Sequence, residues 1–149
     1  MPNETDARAR PIIVQADLSH LDTVVALHRL TFSDDSTIDR YAQIVKRGDC
    51  FVAFAEEDAP LGFAVYDTFL HGHGFLRIIG VHPDHRRKGI AAALVERVQQ
   101  RCTTDRLFTA TSADNSAMQK TAEALGFTLA GHIDGIANER EFIYLKRLP

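Results

Sequence analysis

The residues whose types and spacing could do chemistry cluster where the chain reads Val81-His82-Pro83-Asp84-His85-Arg86-Arg87-Lys88-Gly89-Ile90-Ala91-Ala92. A strand-like run ends at Val81, a short loop turns on Pro83, and a helical pattern opens near Gly89. The first turn of a helix leaves its backbone N–H groups unpaired and carries partial positive charge. Such a terminus binds anions, phosphates above all. Gly89 lets the backbone approach a bulky anion closely. Ala91 keeps the next contact small, and Arg86, Arg87 and Lys88 add positive charge. Together these residues make a cradle for a pyrophosphate. The dinucleotide fingerprint GxGxxG and the P-loop pattern GxxxxGK[ST] are both absent. A basic run is also the ordinary content of a solvated surface, so the reading needs a second signal.

Other residues offer acid–base or ligand chemistry. His71 and His73 form an HxH pair, and His82 and His85 an HxxH pair. No cysteine completes either set and HxxH is not HExxH, so no metal is expected. Imidazole titrates near neutrality, which makes His71 and His73 candidate proton acceptors, although a histidine in a surface turn is more often simply solvated. Tyr66, Asp67 and Tyr144 lie on strand-like runs, where a tyrosine is more often core than catalyst. Asp34, Asp35 and Asp39 could hold a cationic amine, and helix capping is the favoured reading for them. Cys50 and Cys102 fit no CxxC or zinc spacing and read as structural thiols of a reducing compartment.

Apolar periodicity supplies the elements that must position these groups. Residues 11–15 read as a strand. Asp17 or Ser19 can cap a helix whose stripe is Leu21, Val24 and Val25, continued less cleanly by His28. Polar residues 33–37 break it, and a second helix covers 38–47 with Gly48 as its stop. Residues 50–55, 61–70 and 75–81 read as strands joined by turns at 56–60 and 71–74, the pattern of an antiparallel meander. The next helix runs from Gly89 to near Cys102, with Ile90, Leu94, Val95 and Val98 on one face. A strand at 107–111, a helix at 116–125 closed by Gly126, and strands at 128–133 and 141–148 complete the chain. One domain over 1–149 is expected, with residues 1–10 frayed.

Composition excludes some partners. The formal net charge is −3, which gives no global attraction to nucleic acid or to an anionic membrane. No apolar run has the length of a membrane span, and the first residues lack the apolar stretch of a secretory signal. Cytoplasmic residence is expected.

Arg86-Arg87-Lys88-Gly89-Ile90-Ala91 matches the (Gln/Arg)-x-x-Gly-x-(Gly/Ala) motif of the GNAT superfamily of acyl-CoA-dependent N-acyltransferases, and residues 81–84 resemble that family's approach to it. The second signal is Asn115 after the next strand, then a helix, then Gly126-Phe127. The chain therefore resembles a single-domain GNAT protein over nearly its whole length. The resemblance implies an α/β fold of the α+β type, with a mixed central sheet of about six to seven strands and about four helices. It implies acetyl-CoA as cosubstrate and an amine as acceptor, with direct attack in a ternary complex. Backbone amides of Arg86, Arg87, Lys88, Gly89, Ile90, Ala91 and Ala92 would hold the pyrophosphate of coenzyme A. Ile79, Gly80 and Val81 would lie on a strand splayed by a bulge and contact the acyl carbonyl and the pantetheine arm. Glycine inside a strand often marks such a place, or merely relieves packing. Asn115 would bond the pantetheine arm, cap its helix, or do both. Members often pair through their later strands, so a homodimer is compatible with the resemblance.

The sequence departs from the family where acid–base groups are usual. Many members have a Tyr five residues before the Phe of Gly-Phe, where this chain has Ala122. Several carry a Glu on the strand before the Asn, where this chain has Ala110. Phe75 stands roughly where others place a Glu on the central strand. His71, His73, Tyr66 or Asp67 could act through water as base, and Ser116 or Tyr144 could protonate the leaving thiolate. The alternative is an acyl-CoA-binding module that does no chemistry, which the alanine at 122 supports.

Overall fold

The computed structural model describes residues 10–149. Its strands are β1 (Ile12–Gln15), β2 (Cys50–Phe54), β3 (Pro60–Thr68), β4 (Gly74–Val81), β5 (Arg106–Ser112), β6 (Thr128–Ile133) and β7 (Glu141–Arg147). Its helices are α1 (Leu21–Thr31), α2 (Tyr41–Lys46), α3 (Ile90–Arg101) and α4 (Ser116–Ala124). The strands are hydrogen-bonded in the order β1-β2-β3-β4-β5-β7-β6. β4 and β5 run parallel, which requires a crossover, and α3 supplies it. The mixed seven-stranded sheet and four helices agree with the fold class expected. Among the described residues no helix is long and apolar enough to cross a membrane.

Some boundaries differ from the sequence expectation. The second helix opens as a 3-10 turn, Ile38–Arg40, before α2 proper. Thr37 gives that turn no side-chain cap, and the first amides close instead on the carbonyls of Asp35 and Thr37. Leu70 lies not in β3 but in the 3-10 turn Leu70–Gly72, and Gly74 already belongs to β4. The fraying expected of residues 1–10 falls, for 1–9, outside the described residues.

Contacts divide the chain into two compact units, one holding residues 10–65 with Ile78–Val98, the other Tyr66–Arg77 with Gln99–Pro149. β3, β4 and α3 each pass from one unit into the other. In the first unit, α1 turns Val24, Leu27 and His28 onto a core with Tyr41, Ile44, Val52, Phe63 and Val65. Neighbouring strand residues point the opposite way: the Arg97 guanidinium of α3 stacks 4.5 Å over Phe51. Pleat alternation thus puts α1 and α2 on one face of β2 and α3 on the other. Burying each of these large side chains contributes about 1.5–3 kcal/mol. Cys50 is fully buried here, and burial with the Asp49 charge pushes its thiol up to about 12. That thiol is inert at neutral pH.

In the second unit β5 is the organising strand. Seven register pairs join it to β7, and β7 pairs in turn with the edge strand β6. Thr109 Oγ1, buried, donates to the Leu76 carbonyl at 2.8 Å. α4 ends in a Schellman motif, with Phe127 N–H on the Ala122 carbonyl, Gly126 N–H on that of Glu123, and Gly126 at φ +96. Lys146 Nζ donates to the Leu125 carbonyl at 3.0 Å and so neutralises the negative helix end.

Candidate functional site

The loop after β4 is built by local hydrogen bonds. His82 N–H donates to the Leu61 carbonyl at 2.8 Å, which ends β4 against β3. Pro83–His85 then forms a 3-10 turn with proline pre-set at its start. His82 Nδ1 accepts from Asp84 N–H at 3.1 Å. Arg86 Nε donates back to the Val81 carbonyl at 3.3 Å, so its side chain braces the loop. Arg87 stands at φ +64 and Gly89 at φ +80. A non-glycine residue at positive φ is strained and clusters at functional sites.

The helical ladder of α3 begins with Ala93 N–H on the Gly89 carbonyl at 3.1 Å. The amides of Ile90, Ala91 and Ala92 therefore lie outside it. Ile90 is buried, so only its backbone is available, while Arg86, Arg87, Lys88, Gly89 and Ala92 are exposed. Nothing lies within 4 Å of where a Cβ on Gly89 would stand. An open, amide-lined and cationic cradle fits a pyrophosphate.

β4 leads into this loop. Its parallel ladder with β5 spans three register pairs and ends at Leu76 opposite Thr109. Ile79, Gly80 and Val81 lie beyond that end. A Cβ on Gly80 would meet Phe63, Thr31 and Phe32, so the strand packs closely there against the end of α1.

In the second unit Asn115 caps α4, its Oδ1 accepting from Met118 N–H at 3.1 Å. Its Nδ2 donates to no described residue. Tyr144 is buried opposite Thr109 and Leu129. Burial, with the Glu123 charge added, raises its phenol above the ordinary value. It stays a proton donor at neutral pH. His71 is exposed in the turn at φ 60. His73 Nδ1 is 2.8 Å from Thr104 Oγ1, which ties the turn to the segment before β5. No hydrogen bond or ring contact among the described residues joins either histidine to Tyr144.

The positions where acid–base groups were missed are filled by packing. Ala122, within α4, is buried at 1% exposure. Phe75 stacks on Phe69 with ring centroids 5.2 Å apart. Asp67 is held by Arg77 at 3.2 Å. Asp34 closes a turn in the connector rather than capping a helix: hydrogen bonds from the Ser36 amide and hydroxyl hold its carboxyl below the ordinary value. Asp39 lines a groove of about 520 Å³ along α1, with Asp22, Arg29, Val25 and Ile38.

Sequence reasoning passed over Glu141. It opens β7 opposite Ser112 and Ile133, on the same side of the pleat as Ala110 and two residues along. It is half-buried, and burial raises its carboxyl above the ordinary 4.5. A folded-state value raised in this way favours the folded protein below pH 4.5 and is lost as pH rises through the raised value. Glu141→Gln should therefore gain stability over the parent as pH climbs from 4 to 7, with the difference vanishing at the acid end. Denaturant midpoints at each pH check this. An identical pH dependence in the two proteins would contradict it. Only the alternation of the last strand could have drawn attention to this residue, and one glutamate at a strand start carries little signal.

The sequence model of the Acetyltransferase (GNAT) family matches residues 19–127. A crystal structure of a GNAT-family acetyltransferase from Bacillus cereus superposes with a TM-score of 0.82, over 93% of this chain and 98% of that one, at 26% identity. The ribosomal-protein-S18-alanine N-acetyltransferase of Escherichia coli gives 0.74 over 93% and 94%, at 20% identity. A chain of the NatC complex bound to Gag peptide and CoA gives 0.74 over 94% and 99%, at 19% identity. The last two likenesses are of fold. None of the curated proteins matches the sequence. The matched span contains the loop 86–92, β4 and the Asn115 helix, and the chain belongs to the GNAT acetyltransferase family.

Proposed function

We propose that the protein is an N-acetyltransferase that moves the acetyl group of acetyl-CoA to a primary amine of a small molecule or peptide. The observation that carries this reading is the loop 86–92, with its strained Arg87, open Gly89 and unpaired first-turn amides. These would hold the pyrophosphate. Backbone groups of Ile79, Gly80 and Val81 would receive the acyl carbonyl and pantetheine arm, and the Nδ2 of Asn115 could donate to that arm while its Oδ1 caps α4. The E. coli relative by fold is an N-acetyltransferase, and the NatC chain was solved with a peptide and CoA. Both support an amine acceptor.

The reaction conserves atoms simply. The neutral amine attacks the thioester carbonyl, the C–N bond forms, and the C–S bond breaks. The amine proton leaves and the departing thiolate gains one. Positioning supplies much of the rate in such a transfer, and donors aimed at the oxyanion supply more. Tyr144, kept protonated, suits the thiolate. His71 and His73 remain weak claimants to the amine proton, since His73 is engaged by Thr104.

Mixed with acetyl-CoA and a panel of primary amines, the protein should release free thiol in proportion to its own concentration. The buried Ala122 keeps a second reading in view, a module that binds acyl-CoA without chemistry. Binding with no thiol release across amino acids, polyamines and peptide N-termini would favour that module.

A further inference from the structure

The first unit contains a buried polar network that the reaction above does not use. His28 is 2% exposed and Tyr41 fully buried. His28 Nε2 lies 2.7 Å from the Asp34 carbonyl, and Nδ1 lies 2.8 Å from the Tyr41 hydroxyl. A carbonyl can only accept, so Nε2 carries a proton, and in the neutral ring Nδ1 accepts from the hydroxyl. The imidazole thus satisfies both ring nitrogens and ties the connector after α1 to α2. Phe32 packs beside that tie. Its ring is 5.2 Å from His28 and meets Phe63 edge-on at 6.4 Å. Thr31 is fixed beside it, its hydroxyl donating to the Leu27 carbonyl at 2.9 Å.

These side chains close over one point of β4. A Cβ on Gly80 would come within 2.9 Å of Phe63 and of Thr31 Oγ1, and 3.3 Å of Phe32. The face of Gly80 is therefore sealed by two aromatic rings and a threonine, without room for one added methyl. We propose that Phe32 limits the transferred acyl group to acetyl size, and that His28 is the positioning residue that holds Phe32 in place. The inference rests on the acetyl-CoA reading, in which the thioester lies along the backbone of residues 79–81. Of the three groups that close this face, Phe63 is fully buried and Thr31 is tied back to α1, whereas Phe32 reaches the surface and is the one a longer chain would meet. Phe32 itself is 37% exposed, with the rest of its ring against His28 and Phe63.

The test is calorimetric titration with coenzyme A, acetyl-CoA and hexanoyl-CoA, and needs no acceptor. The parent protein should bind hexanoyl-CoA about tenfold or more weakly than acetyl-CoA. In Phe32→Ala that penalty should fall to about twofold or less, with the affinity for coenzyme A unchanged. His28→Ala should relax the penalty in the same direction. His28→Gln, whose amide can donate to the Asp34 carbonyl, should restore it, a rescue that a purely space-filling histidine would not show. Tyr41→Phe probes the other end of the tie should His28→Ala fail to fold, and it too should relax the penalty. A parent that does not discriminate, or a penalty that persists in Phe32→Ala, overturns the proposal while coenzyme A binding stands. Loss of coenzyme A binding in the parent itself refutes the loop reading, and this inference with it.

Discussion

Gly89→Val should weaken acetyl-CoA binding by about a hundredfold, close to 3 kcal/mol, while leaving the protein folded. Gly89 sits at φ +80 in open space. A β-branched residue there must either bear the left-handed strain, about 1–2 kcal/mol, or turn the loop away. In either case its methyl groups enter the space where the amides of residues 90–92 would meet a phosphate. Nothing else is within 4 Å, so no core contact is lost. Gly89→Ala separates the two causes, since it brings the strain with little bulk and should fall between parent and valine. Calorimetry with acetyl-CoA reads the affinity, and urea unfolding reads the stability. A valine variant that binds within about threefold of the parent, under 1 kcal/mol, would mean that the loop is not the pyrophosphate site.

The largest loss of stability is expected from Gly62→Ala, one methyl on β3. Its Cβ would stand 2.7 Å from the Gly80 carbonyl oxygen, 3.3 Å from Val81 Cα and 3.4 Å from an Ile90 methyl. Two of those three neighbours are backbone, which cannot turn aside as a side chain can. β3 and β4 must separate at the residues that would hold the thioester. Overpacking of this kind costs about 1–3 kcal/mol, which lowers the melting temperature of a chain this size by about 2–12 °C. Gly131→Ala, on the exposed edge strand with nothing within 4 Å, should stay within about 0.5 kcal/mol of the parent. Thermal and urea melts compare the two. Equal stability in both variants would contradict the close approach of β3 to β4.

The loop was legible in the sequence because it is local. Pro83 fixes a turn, Gly89 marks a left-handed position, and Ile90, Leu94 and Val98 repeat at helical spacing. The order of elements was legible for the same reason. The side-by-side order in which β7 stands between β5 and β6 was not, since strand pairing at that distance is set by the whole sheet. The end of the β4–β5 ladder at Leu76 leaves no mark in a run such as Phe-Leu-Arg-Ile-Ile-Gly-Val, where apolar residues are dense throughout. His28 looked like an imperfect member of an apolar stripe. It is the centre of a buried tie whose partners, Tyr41 and the Asp34 carbonyl, are brought to it by the folding of the connector. Asn115 and Asp34 were open between capping and binding. The Asn115 oxygen caps α4, while the Asp34 oxygens close a turn on Ser36 within the connector.

The most direct measurement is thermal and chemical unfolding of the purified protein with and without acetyl-CoA. At about a hundredfold excess over its dissociation constant, a ligand of the folded state adds about 2.7 kcal/mol. A saturable stabilisation of that size, lost in Gly89→Val, is the result expected of a GNAT acetyltransferase whose loop 86–92 holds the cosubstrate. An unfolding curve that acetyl-CoA leaves unmoved at millimolar concentration would contradict it.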